Sequence, residues 1–133
     1  MHPRYAVVWV DHQEARVLVL HREDSSFDER LIHARHTKDD ARHSSGRRHP
    51  VTAEAHFFGD VAEAMSGVTD AWVVGPANAK LELVAHLDKH NHDLMRAVKG
   101  TETVDHPTNG ELAEAGRRFF EKLVAPRQIF VRA

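Results

Sequence analysis

The sequence predicts an α/β domain built on a mixed sheet, and three observations carry that expectation. The apolar runs YAVVWV and ARVLVL are separated by Asp11, His12, Gln13 and Glu14, a polar connection that suits an antiparallel hairpin. Beyond residue 50, stretches with helical spacing alternate with short apolar runs bounded by turn residues. Such alternation implies parallel strands joined by right-handed crossovers. At 133 residues the chain has the size of one domain, and 1–133 is read as one, without an internal repeat.

Taken in order, Tyr5 to Val10 and Ala15 to Leu20 form the hairpin, and FDERLIH, from Phe27 to His33, alternates enough for an antiparallel edge strand. Residues 34–51 read as an irregular basic loop. Val51, Ala55, Phe58, Ala62 and Met65 then recur at helical spacing behind Thr52, a suitable N-cap, which predicts a helix from about Thr52 to Ser66. AWVVG is a buried strand, and Pro76 is expected in the first turn of the next helix, where its missing N–H does no harm. That helix continues through Leu81, Val84, Ala85 and Leu87 toward His90. A short helical turn over His92 to Val98 and a strand from about Val98 to Val104 come next. The last helix, Gly110 to Val124, is expected to carry Leu112, Ala115, Phe119 and Leu123 on its apolar face. The tail QIFVRA reads as a β segment, or as one that docks on a neighbour. The resulting order, β-β-β-α-β-α-β-α, is that of a ribonuclease-H-like three-layer domain.

Composition narrows the chemistry. Without cysteine there is no disulfide, no thiol nucleophile and no Cys-based zinc or iron–sulfur site. The apolar runs fall far short of the roughly 20 residues needed to span a bilayer, and the N-terminus lacks a signal-peptide core, so a soluble, cytoplasmic protein is expected. The formal charge of −2 is not that of a polycation, although twelve histidines would add positive charge on acidification.

Positive charge is concentrated in the loop. Arg35, Lys38, Arg42, Arg47 and Arg48 stand against Asp39 and Asp40. Such side chains contact phosphates without reading sequence, and the binding weakens with salt through counterion release; a solvated charged loop explains the same residues without a ligand. In GPANAK, at a strand-to-helix junction, Lys80 is placed to reinforce a phosphate, but the segment is not a Walker loop and a tight turn accounts for it.

Other constellations are incomplete. His86 and His90 lie four apart on a predicted helix, with Glu82 one turn earlier, yet HExxH is absent and a catalytic zinc needs three protein ligands. No metal ligand set and no cofactor is assigned. A two-metal nuclease would need converging carboxylates; Asp11, with Glu54 or Asp60, supplies part of a set, while the fourth strand ends in Gly75-Pro76. The segment Asp105-His106-Pro107-Thr108-Asn109-Gly110 either lines the same edge as Asp11 or serves as turn and N-cap.

WVDHQEARVLVL, the basic loop before a helix, VVGPANAK and KGTETVDHPTNGELAEAGRRFF together resemble small bacterial proteins labelled as translational-machinery proteins. These are similar to the middle domain of archaeal and eukaryotic peptide-release factors and of Pelota. The resemblance spans about Tyr5 to Phe120 and implies a place near ribosomal RNA or tRNA. In release factors the loop before the first helix carries a Gly-Gly-Gln tripeptide. Here the region reads HSSGRRHPVT, so release activity is not implied.

The sequence thus points to a non-enzymatic, ribosome- or RNA-associated protein in translation regulation or ribosome rescue. Arg35, Lys38, Arg42, Arg47 and Arg48 would contact phosphates, with Lys80 extending the patch, and no catalytic residue is assigned. Two alternatives from other classes are a metal-dependent nuclease or other hydrolase using Asp11, and a protein-interaction module. In the latter, Ile129 to Val131 would add to the sheet edge of a partner or of a second copy in a homo-oligomer.

Overall fold

The computed structural model describes residues 2–34, 53–124 and 128–131. Its strands are β1 (Tyr5–Val10), β2 (Glu14–Leu20), β3 (Phe27–His33), β4 (Asp70–Gly75) and β5 (Val98–Thr103), and its helices α1 (Ala53–Ala64), α2 (Ala79–His90), α3 (His92–Ala97) and α4 (Asn109–Leu123). The five strands form one mixed sheet in the order β3-β2-β1-β4-β5. β1 pairs antiparallel with β2 and parallel with β4, while β2–β3 is antiparallel and β4–β5 parallel. The α/β class, the hairpin and the edge position of the third strand agree with the sequence reading.

Helices cover both faces, which explains why β1 and β4 are almost continuously apolar instead of alternating. Ala6, Val8 and Val10 of β1, with Ala71 and Val73 of β4, face Phe57, Phe58 and Val61 of α1 and Leu83 and Leu87 of α2. The intervening Val7, Trp9, Trp72 and Val74 face Leu112, Ala113 and Phe120 of α4. Edge strand β3 exposes Asp28, Glu29 and Arg30, charges that discourage pairing with another chain.

Two expectations about helix faces need correction. On α4 the buried stripe is Leu112, Ala113, Gly116, Arg117 and Phe120. Leu123, expected inside, is 49% exposed. The helix is turned this way because Gly116 lets it approach the sheet, where an added Cβ would meet Val7 Cγ2 at 2.3 Å. On α2 the buried positions are Ala79, Lys80, Leu83 and Leu87, while Leu81 is exposed. Pro76 does not open that helix. It belongs to the preceding turn, and Asn78 is the N-cap of a helix that starts at Ala79.

The tail is not a strand over its described part. Phe130 is fully buried in this chain's own core, 5.2 Å from the Tyr5 ring, and the Val131 N–H donates to the Arg22 carbonyl at 2.8 Å. Thr52 and the loop residues 35–51 lie outside the described residues. No helix among the described residues is long and apolar enough to cross a membrane.

Candidate functional site

Strand directions collect the chemically interesting residues at one rim of the sheet. β3 runs with β1, because each is antiparallel to β2, and β4 and β5 run with β1 as well. Val10, His33, Gly75 and Thr103 therefore end their strands at the same rim, and α1, α2 and α4 start from it. Ligand sites of open parallel sheets form beside such strand ends. The basic loop is tied to this rim at its first end, where the Ala34 N–H donates to the Gln13 carbonyl at 2.8 Å. Arg35, Lys38, Arg42, Arg47 and Arg48 themselves lie outside the described residues.

The hairpin tip is built by Asp11. Its Oδ1 accepts from the N–H groups of Gln13 and Glu14, each at 2.8 Å, an Asx-type turn that pins the three-residue connection. Asp11 thus acts as a turn residue, with His106 Nε2 3.9 Å from its other oxygen. Asp105 and His106 do come to the edge occupied by Asp11, as one reading of that segment expected. Thr108 is also the N-cap the other reading expected. It forms a complete capping box with Glu111: Glu111 N–H to Thr108 Oγ1 at 3.1 Å and Thr108 N–H to Glu111 Oε1 at 2.9 Å.

On the α4 side, β1 and β2 strap this connection down. The Trp9 indole N–H donates to the Asp105 carbonyl at 2.6 Å. Arg16 donates to the Pro107 carbonyl at 2.9 Å and to Asn109 Oδ1 at 2.8 Å, with its guanidinium 4.5 Å from the centre of the Trp9 ring. Beside the strap opens a cleft of about 610 Å³, lined by Trp72, Val104, Asp105, His106, Pro107, Glu111, Leu112, Ala115 and Arg118. The threonine and glutamate three apart announce the cap in the sequence. The strap has no such local signal, since Trp9 and Asp105 are far apart in the chain.

On the opposite side of the sheet, His12 leaves the hairpin tip and meets Glu82, from the first turn of α2, with Nε2 to Oε1 at 2.9 Å. Glu54, from the first turn of α1, joins them: one ligand atom from each of the three side chains lies within 4.8 Å of the others. Glu82 is therefore engaged by the hairpin and not by the histidines of its own helix. His86 and His90 instead face each other at 4.6 Å between ring centres. Burial of His86, reinforced by the neighbouring His90, lowers its pKa below the ordinary imidazole value. Among the described residues the three-ligand group that contains Glu54 joins it to His12 and Glu82, without Asp11 or Asp60.

Lys80 is 6% exposed, and its ammonium donates to the carbonyl oxygens of Gly75, at 3.2 Å, and Ala77. It closes the turn after β4 from inside. Gly75 is needed there because a Cβ at that position would lie 2.1 Å from the Val10 carbonyl oxygen.

No protein-family model matches the chain, and no curated protein matches it. Solved structures do resemble it. Pelota from Archaeoglobus fulgidus is similar over 93% of this chain and 34% of its own, with a TM-score of 0.63 at 18% identity. Pelota from Thermoplasma acidophilum aligns over 92% of this chain and 38% of its own, with a TM-score of 0.57 at 15% identity. The archaeal translation termination factor aRF1 aligns over 91% of this chain and 39% of its own, with a TM-score of 0.56 at 14% identity. The chain thus spans little more than a third of these proteins, and at such identities the likeness is one of fold.

Proposed function

We propose that this chain is a non-enzymatic domain that associates with the ribosome or with RNA, serving translation regulation or ribosome rescue through phosphate contacts from its basic loop. The observation that carries the reading is the fold shared with Pelota and aRF1 over more than nine-tenths of this chain. The sheet order β3-β2-β1-β4-β5, with β2 running against the other four strands, supports a ribonuclease-H-like arrangement of a single domain. Arg35, Lys38, Arg42, Arg47 and Arg48 supply the contacts, in a segment that leaves the rim at Ala34. Lys80 joins them only by leaving the carbonyl groups of Gly75 and Ala77. The absence of Gly-Gly-Gln between residues 34 and 52 separates this role from peptide release.

Phosphate binding has a signature in salt dependence, because each neutralised phosphate releases counterions. Binding of a labelled single-stranded RNA, followed by fluorescence anisotropy across a salt series, is expected to weaken linearly in log–log form. The Arg47→Ala/Arg48→Ala variant should reduce that slope by about 1.4, at roughly 0.7 per lost single-strand contact. An unchanged slope and affinity in the variant would take the arginine pair out of the mechanism.

A further inference from the structure

We propose that His12, Glu54 and Glu82 form a binding site for one divalent transition-metal ion, with zinc the best chemical fit. The three come from separate elements: the β1–β2 turn, the first turn of α1 and the first turn of α2. Each backbone support is fixed independently. Asp11 pins the turn, while Phe57 and Phe58 of α1 and Leu83 and Leu87 of α2 are buried in one core cluster. Ligands mounted on rigid elements lose little freedom when they close on an ion.

The helix dipoles favour an acidic residue in each first turn, but they do not account for two carboxylates converging on one imidazole. An ion pair between His12 and Glu82 is complete without Glu54. Bringing a second carboxylate within 4.8 Å costs like-charge repulsion that a shared dication relieves. The donor set also selects among ions. One imidazole nitrogen with two carboxylate oxygens suits zinc and its transition-metal neighbours, whereas magnesium and calcium prefer oxygen alone.

Distances agree with the assignment. Ligands about 2.1 Å from a tetrahedral zinc lie about 3.4 Å from one another. The His12–Glu82 separation of 2.9 Å needs to open by about half an ångström, and Glu54 needs to close from within 4.8 Å, by side-chain rotation at an exposed rim. Three protein ligands leave one coordination position to water or to an incoming group. This arrangement is independent of the basic loop, so failure of RNA binding would leave it standing.

Calorimetric titration of the full chain with zinc chloride, and separately with magnesium chloride, tests the assignment. The expected result is one zinc-binding event per chain, weakened at least about tenfold by each of His12→Ala, Glu54→Gln and Glu82→Gln. It should persist in His90→Ala and be absent with magnesium. The glutamine variants keep side-chain size, and melting in chelator should match the parent. With zinc, the parent melting temperature should rise and that of Glu54→Gln should not. No saturable zinc binding in the parent, or binding equally strong in all three variants, would overturn the site.

Discussion

Gly75 and Gly59 show opposite reasons for glycine. A Cβ at Gly75 would sit 2.1 Å from the Val10 carbonyl oxygen, so Gly75→Ala must push β4 away from β1. It is expected to destabilise the fold by about 3 kcal/mol, the upper part of the overpacking range. Among the described residues nothing lies within 4 Å of a Cβ on Gly59, inside α1. There, Gly59→Ala should stabilise by about 0.5–1 kcal/mol through backbone entropy. Urea unfolding of the two variants reads both signs, and a destabilised Gly59→Ala would contradict the packing described.

His86 provides a pH effect. Burial, reinforced by His90, depresses its folded pKa, so the folded protein favours the neutral ring. As pH falls through about 6.5 the unfolded chain takes up the proton first, and its stability relative to the folded state increases. The contribution of His86 is therefore present at neutral and higher pH, and it is lost as pH drops toward the lowered folded value. Replacing it with glutamine should flatten this part of the dependence of the urea midpoint on pH, and an unchanged profile would contradict the assignment. Neither this histidine's burial nor the interior position of Lys80 was legible in the sequence. Both depend on what the opposing element offers: Phe58, 5.8 Å from the His86 ring, and the turn carbonyls that Lys80 reaches.

At the scale of elements, strand and helix positions were largely legible because period and punctuation are local signals. The face each helix buries was less so. On α4, glycine and arginine occupy the buried stripe, and a count of apolar residues passes over both. Gly116 is there for close approach. Arg117 is 2% exposed yet reaches the Ser26 carbonyl at 2.8 Å and lies 5.6 Å from the Phe130 ring centre. Two changes test how this layer is held. Thr108→Ala removes the cap side chain and should cost about 1 kcal/mol. Phe130→Ala empties a core position and should cost about 3–5 kcal/mol, whereas a freely projecting tail would lose almost nothing. Chemical denaturation with both variants separates these outcomes.

For the whole molecule, topology does what the sequence could not show. Parallel strand directions and three helices starting from one rim bring His12, Glu54 and Glu82 together, and they place Asp105 and His106 beside Asp11. Each of these groups joins residues far apart in the chain. The basic loop, by contrast, was visible at once as a cluster of charge, and the structure ties its first end to the same rim. The proposed ribosome association would run through this loop. Co-sedimentation of the purified chain with bacterial ribosomes tests it most directly, at low and high salt and with the Arg47→Ala/Arg48→Ala variant alongside. A ribosome-bound fraction is expected at low salt, to be released by high salt or by the two substitutions. A chain that stays in the supernatant at low salt, or a variant that sediments as the parent does, would contradict that association.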